Sequence, residues 1–294
     1  MYTITKTQYA EHDVCYDQYV LADTDAGTTL TLTPCKGGSI SGMTLNGEEF
    51  IWLRYPNFYN TDRPRYGVPV VFPQCGMAPE GMNDFGGQKY PMSIHGFACL
   101  LPWEVAAQST EDGASMTLRL TESAMTRVLY PFAFCVEITY TLKGNTVTIQ
   151  QNYTNRDEQP MPFAFGLHPY FVASDVRNLE FQVQAETVTD PVNGVSGPYT
   201  GTVEFPYNEE QTNRSYRGCT SPAVVTDKGN GHKVTVEFDE HFDKVILWSQ
   251  CPLGFICVEP WNGWPGGLNT GKDCQTLAPG QSLAAQCSFT IEKI

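Results

Sequence analysis

The chain has 294 residues and a formal net charge of −14, and 41% of its residues are hydrophobic against 17% charged. That apolar share can offset the entropy of ordering a chain, which excludes a disordered protein, and so acidic a surface repels nucleic acid. No stretch nears the roughly 20 apolar residues that span a bilayer, and residues 1–12 lack the apolar centre of a secretion signal, so a cytoplasmic protein without a membrane partner is expected.

Period-two alternation dominates the chain. It predicts strands at residues 28–32, 116–120, 134–142 and 146–150. Lys143-Gly144-Asn145 supplies a turn between the last two, so residues 134–152 form a predicted hairpin. A short helix is expected at 121–128, capped by Thr121 or Ser123 and stopped by Pro131. Further strands are expected at 179–183, 232–238, 244–248, 254–258 and 283–291. Strands without alternating helices exclude a doubly wound α/β fold. Nothing in composition divides the chain, so one all-β antiparallel domain over residues 1–294 is expected. Residues 55–94, 190–217 and 260–277 lack the pattern, and long irregular segments in a compact domain commonly carry function.

Ten cysteines show no C-x-x-C spacing, and Cys135, Cys257 and Cys287 lie in apolar runs, so buried free thiols are expected rather than disulfides. Of five histidines, His12, His232 and His241 sit in polar or turn-like surroundings and are assigned to the surface. His95 (in Ser93-Ile94-His95-Gly96-Phe97) and His168 (in Gly166-Leu167-His168-Pro169-Tyr170) lie in apolar, turn-forming sequence. Each is either a satisfied core imidazole or an acid–base group working near neutral pH, and Gly96 and Gly166 allow close approach of a backbone or ligand. Glu259 ends the apolar run Gly254-Phe255-Ile256-Cys257-Val258 and precedes Pro260-Trp261. A carboxylate so placed is desolvated, which raises its pKa and makes it a stronger base; the alternative is a structural carboxylate with an arginine or backbone partner. No nucleophile elbow or phosphate loop is present, and the scattered His/His/Glu set is a poor zinc motif. Among the tryptophans, Trp261 and Trp264 follow Glu259 and are the better candidates for stacking on a sugar ring.

Four segments in order carry a resemblance: Arg65-Tyr66-Gly67-Val68-Pro69-Val70-Val71-Phe72-Pro73-Gln74, His95-Gly96-Phe97-Ala98, Gly166-Leu167-His168-Pro169-Tyr170-Phe171 and Val258-Glu259-Pro260-Trp261. With Leu247-Trp248-Ser249 between the last two, the chain resembles the aldose 1-epimerase (galactose mutarotase-like) family from about Arg63 to Asn269. The resemblance implies a single-domain antiparallel β-supersandwich. It implies that Glu259 is the general base and His168 the general acid of a cofactor-independent, metal-free ring opening that interconverts sugar anomers. It further implies substrate contacts from His95, Arg65, Gln74, Asn213 and Trp261.

The first motif looks most like the hexose-6-phosphate 1-epimerase branch, yet Cys99 stands where that branch has a second arginine. Asn213, in Thr212-Asn213-Arg214-Ser215-Tyr216, aligns with a family aspartate. Loss of an arginine fork favours an unphosphorylated aldohexose, unless Arg63 or Arg214 compensates. The expected partner is a small sugar or sugar phosphate, handled by a monomer or homodimer. A non-catalytic carbohydrate-binding protein on the same scaffold is the alternative, although pure binding does not require both His168 and Glu259.

Overall fold

A computed structural model describes residues 1–11, 14–53, 66–190 and 194–294. Its ladders are antiparallel strands, and helix is confined to short turns. The first ribbon was not anticipated. Tyr2–Glu11 pairs with Val14–Asp23 and begins a five-stranded meander through Thr28–Thr33, Ser39–Leu45 and Glu48–Glu49. Its first strand is largely exposed or half-buried along its length, so neither face carries the apolar alternation that marks a strand.

An eight-stranded sheet forms one wall of the core. Its order is Leu179–Gln184, Thr220–Asp227, His232–Phe238, Ser282–Lys293, Thr146–Asn155, Phe134–Lys143, Ala114–Thr121 and Glu104–Ser109. The predicted hairpin is here, and its strands run three residues beyond the expected end because Phe134 pairs with Asn155. The predicted short helix is Ala124–Leu129, with Ser123 as its N-cap in a capping box with Thr126.

The second large sheet runs Val195–Pro198, Thr187–Asp190, Thr212–Arg217, Lys244–Ser249, Phe255–Trp261, Gly166–Leu167 and Val70–Val71, and Tyr170–Val172 also pairs with Phe255–Trp261. Parts of the supposedly irregular segments are therefore strand. Thr212–Arg217 was missed because one of its faces carries polar residues instead of core residues.

The inner faces of the two large sheets share one hydrophobic cluster. Phe171 of the second sheet meets Phe289 of the first edge-on at 5.5 Å. Phe72 is fully buried and lies within 6.1 Å, ring to ring, of Phe97, Tyr130, Phe134, Tyr153 and Phe163. Seven of the ten cysteines are buried, and all ten are free thiols. No helix among the described residues is long and apolar enough to cross a membrane.

The surface assignment of His232 is corrected. The residue is 4% exposed, its ring is stacked 3.9 Å from Phe50, and its Nε2 lies 2.7 Å from Glu48 Oε1. The turn before it resembles a surface loop, but His232 opens a strand beneath the N-terminal meander. His241 is half-buried, with its backbone N–H donating to Asp239, and His12 lies outside the described residues.

Phe72 joins the site-bearing sheet to the aromatic centre of the core. Phe72→Ala is expected to cost about 3–5 kcal/mol through lost transfer energy and a residual cavity. Denaturant unfolding measures this, and a loss below about 1 kcal/mol would mean that the cluster repacks.

Candidate active site

The strand Phe255–Trp261 is buried throughout, and its alternation sorts its side chains. Ile256 and Val258 enter the main core, which turns Cys257, Glu259 and Trp261 to the other face. Its neighbours continue that face by register. Ser215, Ile246 and Glu259 form one row across three strands; Asn213, Trp248 and Cys257 form the next, and Arg217, Lys244 and Trp261 the third. Together with loop residues, Asn213, Ser215, Ile246, Trp248, Glu259 and Trp261 of these rows line a cavity of about 520 Å³, a volume suited to a small organic ligand.

The same register places His168. Gly166 pairs with Trp261 and Tyr170 pairs with Cys257, so the intervening His168 falls opposite Glu259. Its backbone N–H leaves the ladder and donates to Pro69 O at 3.0 Å. The side chains converge, with His168 Nε2 at 3.4 Å from Glu259 Oε2. Tyr170 stacks on the His168 ring at 4.8 Å and Trp248 meets it edge-on at 5.9 Å, which together orient the imidazole. Gly166 is needed here because a Cβ would stand 2.6 Å from the Trp261 ring and 2.8 Å from Pro260 O.

Glu259 is 1% exposed, and burial raises its pKa well above the usual carboxylate range. The nearby Trp261 indole N–H favours the charged form, but it falls short of hydrogen-bond geometry, so burial dominates. Glu259 Oε2 and Trp261 Nε1 are both buried without a hydrogen-bond partner among the described residues. Such orphaned polar atoms, turned to a cavity, call for a ligand rich in hydroxyl groups or for water.

His95 reaches the cavity from a turn. Its φ is +64°, a left-handed conformation that histidine tolerates better than most side chains. Reciprocal bonds hold it: His95 N–H donates to Gly76 O at 2.7 Å, and Gly76 N–H donates to His95 Nδ1 at 3.2 Å. With Nδ1 accepting, the proton sits on Nε2, so His95 is a hydrogen-bond donor through that atom. Its ring stands edge-on to both His168 and Trp261 at 5.2 Å. The next residue, Gly96, packs so closely on Phe72 that a Cβ would lie 2.1 Å from Phe72 O.

The structure thus gathers His95, His168, Asn213, Glu259, Trp261 and Trp264 around one cavity. It does not bring Gln74 there. Gln74 is 3% exposed, donates to Ser93 O at 2.7 Å and accepts from Asn83 Nδ2 at 2.9 Å. Both ends of the amide are thereby engaged in holding the chain that leads to His95, and the expected substrate contact is withdrawn. Arg65 and Arg63 lie outside the described residues. Arg214 alternates to the opposite face from Asn213 and lies 3.6 Å from Asp190, so it does not offset the loss of a cation at Cys99.

Several lining residues escaped sequence reading. Trp248 and Tyr170 enter the sequence reading only as parts of matching segments, and Ile246, Gln211 and Ser215 carry no signal there. Gln211 and Ser215 lie two residues either side of Asn213, so strand periodicity would have found them once that strand was recognised. These three give one wall neutral amide and hydroxyl groups, and Cys99 lies in the lining as well. Among the described residues the one group able to gather around a metal is His168, Cys257 and Glu259, whose donor atoms lie within 4.8 Å of one another. Burial pushes the Cys257 thiol well up, which disfavours its thiolate in the absence of a cation.

Comparison with known proteins identifies the family and the fold. The family model for aldose 1-epimerase matches residues 19–290. The solved Slr1438 protein of Synechocystis sp. PCC 6803 is 29% identical, with a TM-score of 0.90 over 100% of both chains. A galactose mutarotase-like protein from Clostridium acetobutylicum is 18% identical and shares the fold, with a TM-score of 0.82 over 100% of this chain and 99% of that one. A protein of Escherichia coli K12, provisionally named glucose-6-phosphate 1-epimerase, is 27% identical over 230 residues, covering 72% of each chain. The β-rich fold is the galactose mutarotase-like one, and the chain belongs to the aldose 1-epimerase family.

Proposed function

We propose that this protein is a mutarotase, interconverting the α and β anomers of an aldohexose by acid–base ring opening and closure. The observation that carries the reading is the 3.4 Å approach of His168 Nε2 to Glu259 Oε2 at the floor of a sugar-sized cavity. The anomeric hydroxyl and the ring oxygen are bonded to the same carbon, so their base and acid must lie close together. Glu259 takes the proton of the anomeric hydroxyl, and protonated His168 gives one to the ring oxygen. The C1–O5 bond then breaks to leave an open aldehyde. Rotation about C1–C2 presents the other carbonyl face, and closure returns both protons. Every atom in the cycle comes from the sugar and these two side chains, so a bound cofactor has no step to perform. The His95 Nε2–H and Trp261 indole N–H donate to sugar oxygens, and Gln211, Asn213 and Ser215 meet its hydroxyls. Asn213 keeps the hydrogen bonding of the family aspartate without its charge. The free thiols suit a reducing cytoplasm.

A second reading, a hexose-6-phosphate substrate, draws on the name of the Escherichia coli relative. A phosphate brought close to ionised Glu259 would be repelled as a like charge, the more so in a partly desolvated cavity. No arginine or lysine is among the described lining residues, and the free sugar is the better fit.

Nuclear magnetic resonance of freshly dissolved α-glucose or α-galactose tests the activity. Catalysed anomer exchange is expected, and Glu259→Gln and His168→Asn should each slow it by about 10²–10⁴-fold. Turnover untouched by either change would remove that residue from its role. Free hexose should be turned over with a higher kcat/KM than its 6-phosphate. The reverse order, with Arg65→Ala harming the phosphate far more, would favour the second reading.

The raised pKa of Glu259 has two further consequences. The acidic limb of kcat/KM should inflect above pH 4.5, the ordinary value for this carboxyl. Because the folded-state pKa exceeds the unfolded one, burial costs stability above the folded pKa and costs nothing below the unfolded one. Glu259→Gln should therefore melt at a higher temperature than the parent at neutral pH, with the gap closing as pH falls towards 4.5. A variant that melts lower at pH 7 would show that the carboxylate is a structural partner instead.

A further inference from the structure

The third row of the cavity sheet (Arg217, Lys244 and Trp261) carries two cations, yet neither Arg217 nor Lys244 lines the cavity. Both are drawn to Asp273. Arg217 Nη2 donates to Asp273 Oδ1 at 2.7 Å, and Lys244 Nζ lies 3.3 Å from the same oxygen. Lys244 is 2% exposed and is further satisfied by Asp243 Oδ1 at 2.6 Å and Asn262 O at 3.1 Å, as a buried ammonium requires. Burial opposes ionisation of Asp273, but Arg217 and Lys244 outweigh it and hold the pKa low, so Asp273 is a carboxylate at neutral pH.

Asp273 also anchors the segment that bears Trp264. Its backbone takes the left-handed φ of +52°, and its carbonyl accepts the Trp264 N–H at 3.2 Å. The Arg217 guanidinium lies over the Trp264 ring at 4.7 Å. Trp264 itself is half-buried and lines the cavity, with Pro265 beside it. The indole is thus held through its backbone by Asp273 and through its ring by Arg217, and the two holders are bonded to each other. Arg217 and Asp273 are both partly exposed, and an ion pair of that kind contributes little to overall stability. Its consequence is local: it fixes where one aromatic ring stands.

We infer that Arg217 and Asp273 are positioning residues for sugar binding, which set Trp264 as the platform on which the apolar face of a pyranose stacks. The inference rests on the mutarotase reading for its substrate class but not for its geometry. Neither residue touches the reacting atoms, so the effect falls on substrate affinity rather than on proton transfer. A ring fixed before the sugar arrives loses less freedom on binding, which is the general benefit of preorganisation.

The test is a double-mutant cycle on the full chain with D-galactose and D-glucose as probes. Arg217→Met, which keeps the stem and removes the charged plane, should raise KM roughly three- to tenfold and leave kcat within about twofold. Asp273→Asn should do the same, and Arg217→Lys, which keeps the ion pair but not the stack, should fall between Arg217→Met and the parent. In a Trp264→Ala background, Arg217→Met should have no further effect on KM. An equal effect in both backgrounds would overturn the inference, because Arg217 would then act on the sugar or fold independently of Trp264. A fall in kcat at constant KM would overturn it as well. The same cycle read as sugar Kd by calorimetry separates the two proposals. A parent protein that binds sugar without turning it over contradicts only the epimerase reading, and a lack of coupling between positions 217 and 264 in Kd contradicts only the positioning role. Melting curves of each variant identify any that fail to fold, and for those Arg217→Lys supplies the comparison.

Discussion

The site depends on one register. Antiparallel pairing on both sides of the strand Phe255–Trp261 fixes which residues stand beside Glu259: Ile246 on one flank and, where the ladder opens, His168 on the other. A slip of one residue would turn Glu259 into the core and bring Val258 to the cavity. The apolar side chains of Ile256 and Val258 prevent that slip, because they belong to the main hydrophobic cluster. The core thus holds a carboxylate in a place it would not choose, and sheet packing offsets the cost of burying it.

The rest of the cavity follows from that strand. Each neighbouring strand adds side chains at two-residue intervals, so the floor is a grid in which Asn213, Ser215, Ile246, Trp248, Glu259 and Trp261 have fixed places. Loops supply what strands do not. The turn at His95 is held by paired bonds to Gly76 and by contact of Gly96 with Phe72, and the segment after Trp261 is tied down at Asp273. Glu259, the proposed base, therefore rests on the sheet and His168, the proposed acid, on a short break between two of its strands, while His95 and Trp264 reach the cavity from anchored loops.

Much of this was legible in the sequence where apolar alternation reports burial. The hairpin Phe134–Lys143 and Thr146–Asn155 and the strand His232–Phe238 were evident because one face of each meets the core. Tyr2–Glu11 was illegible because neither of its faces is fully buried, and Thr212–Arg217 because its cavity face is polar while Thr212 and Tyr216 face inward. Glu259 stood out as a carboxylate within an apolar run, and that anomaly is a true mark of its burial. Gln74 misled for the opposite reason: it lies two residues after the fully buried Phe72 and sits in a motif of the family, yet its amide serves backbone and Asn83. Sequence marks a residue as special without saying whether its neighbours or a ligand make it so.

In the proposed reaction Glu259 and His168 address two oxygens on one anomeric carbon. A crystal structure of the Glu259→Gln protein with an aldohexose bound tests it most directly. In that complex the anomeric oxygen is expected within hydrogen-bond reach of the side chain at position 259 and the ring oxygen within reach of His168 Nε2, at about 2.6–3.2 Å. A sugar bound in the same cavity with its C1 turned away from both groups would contradict it.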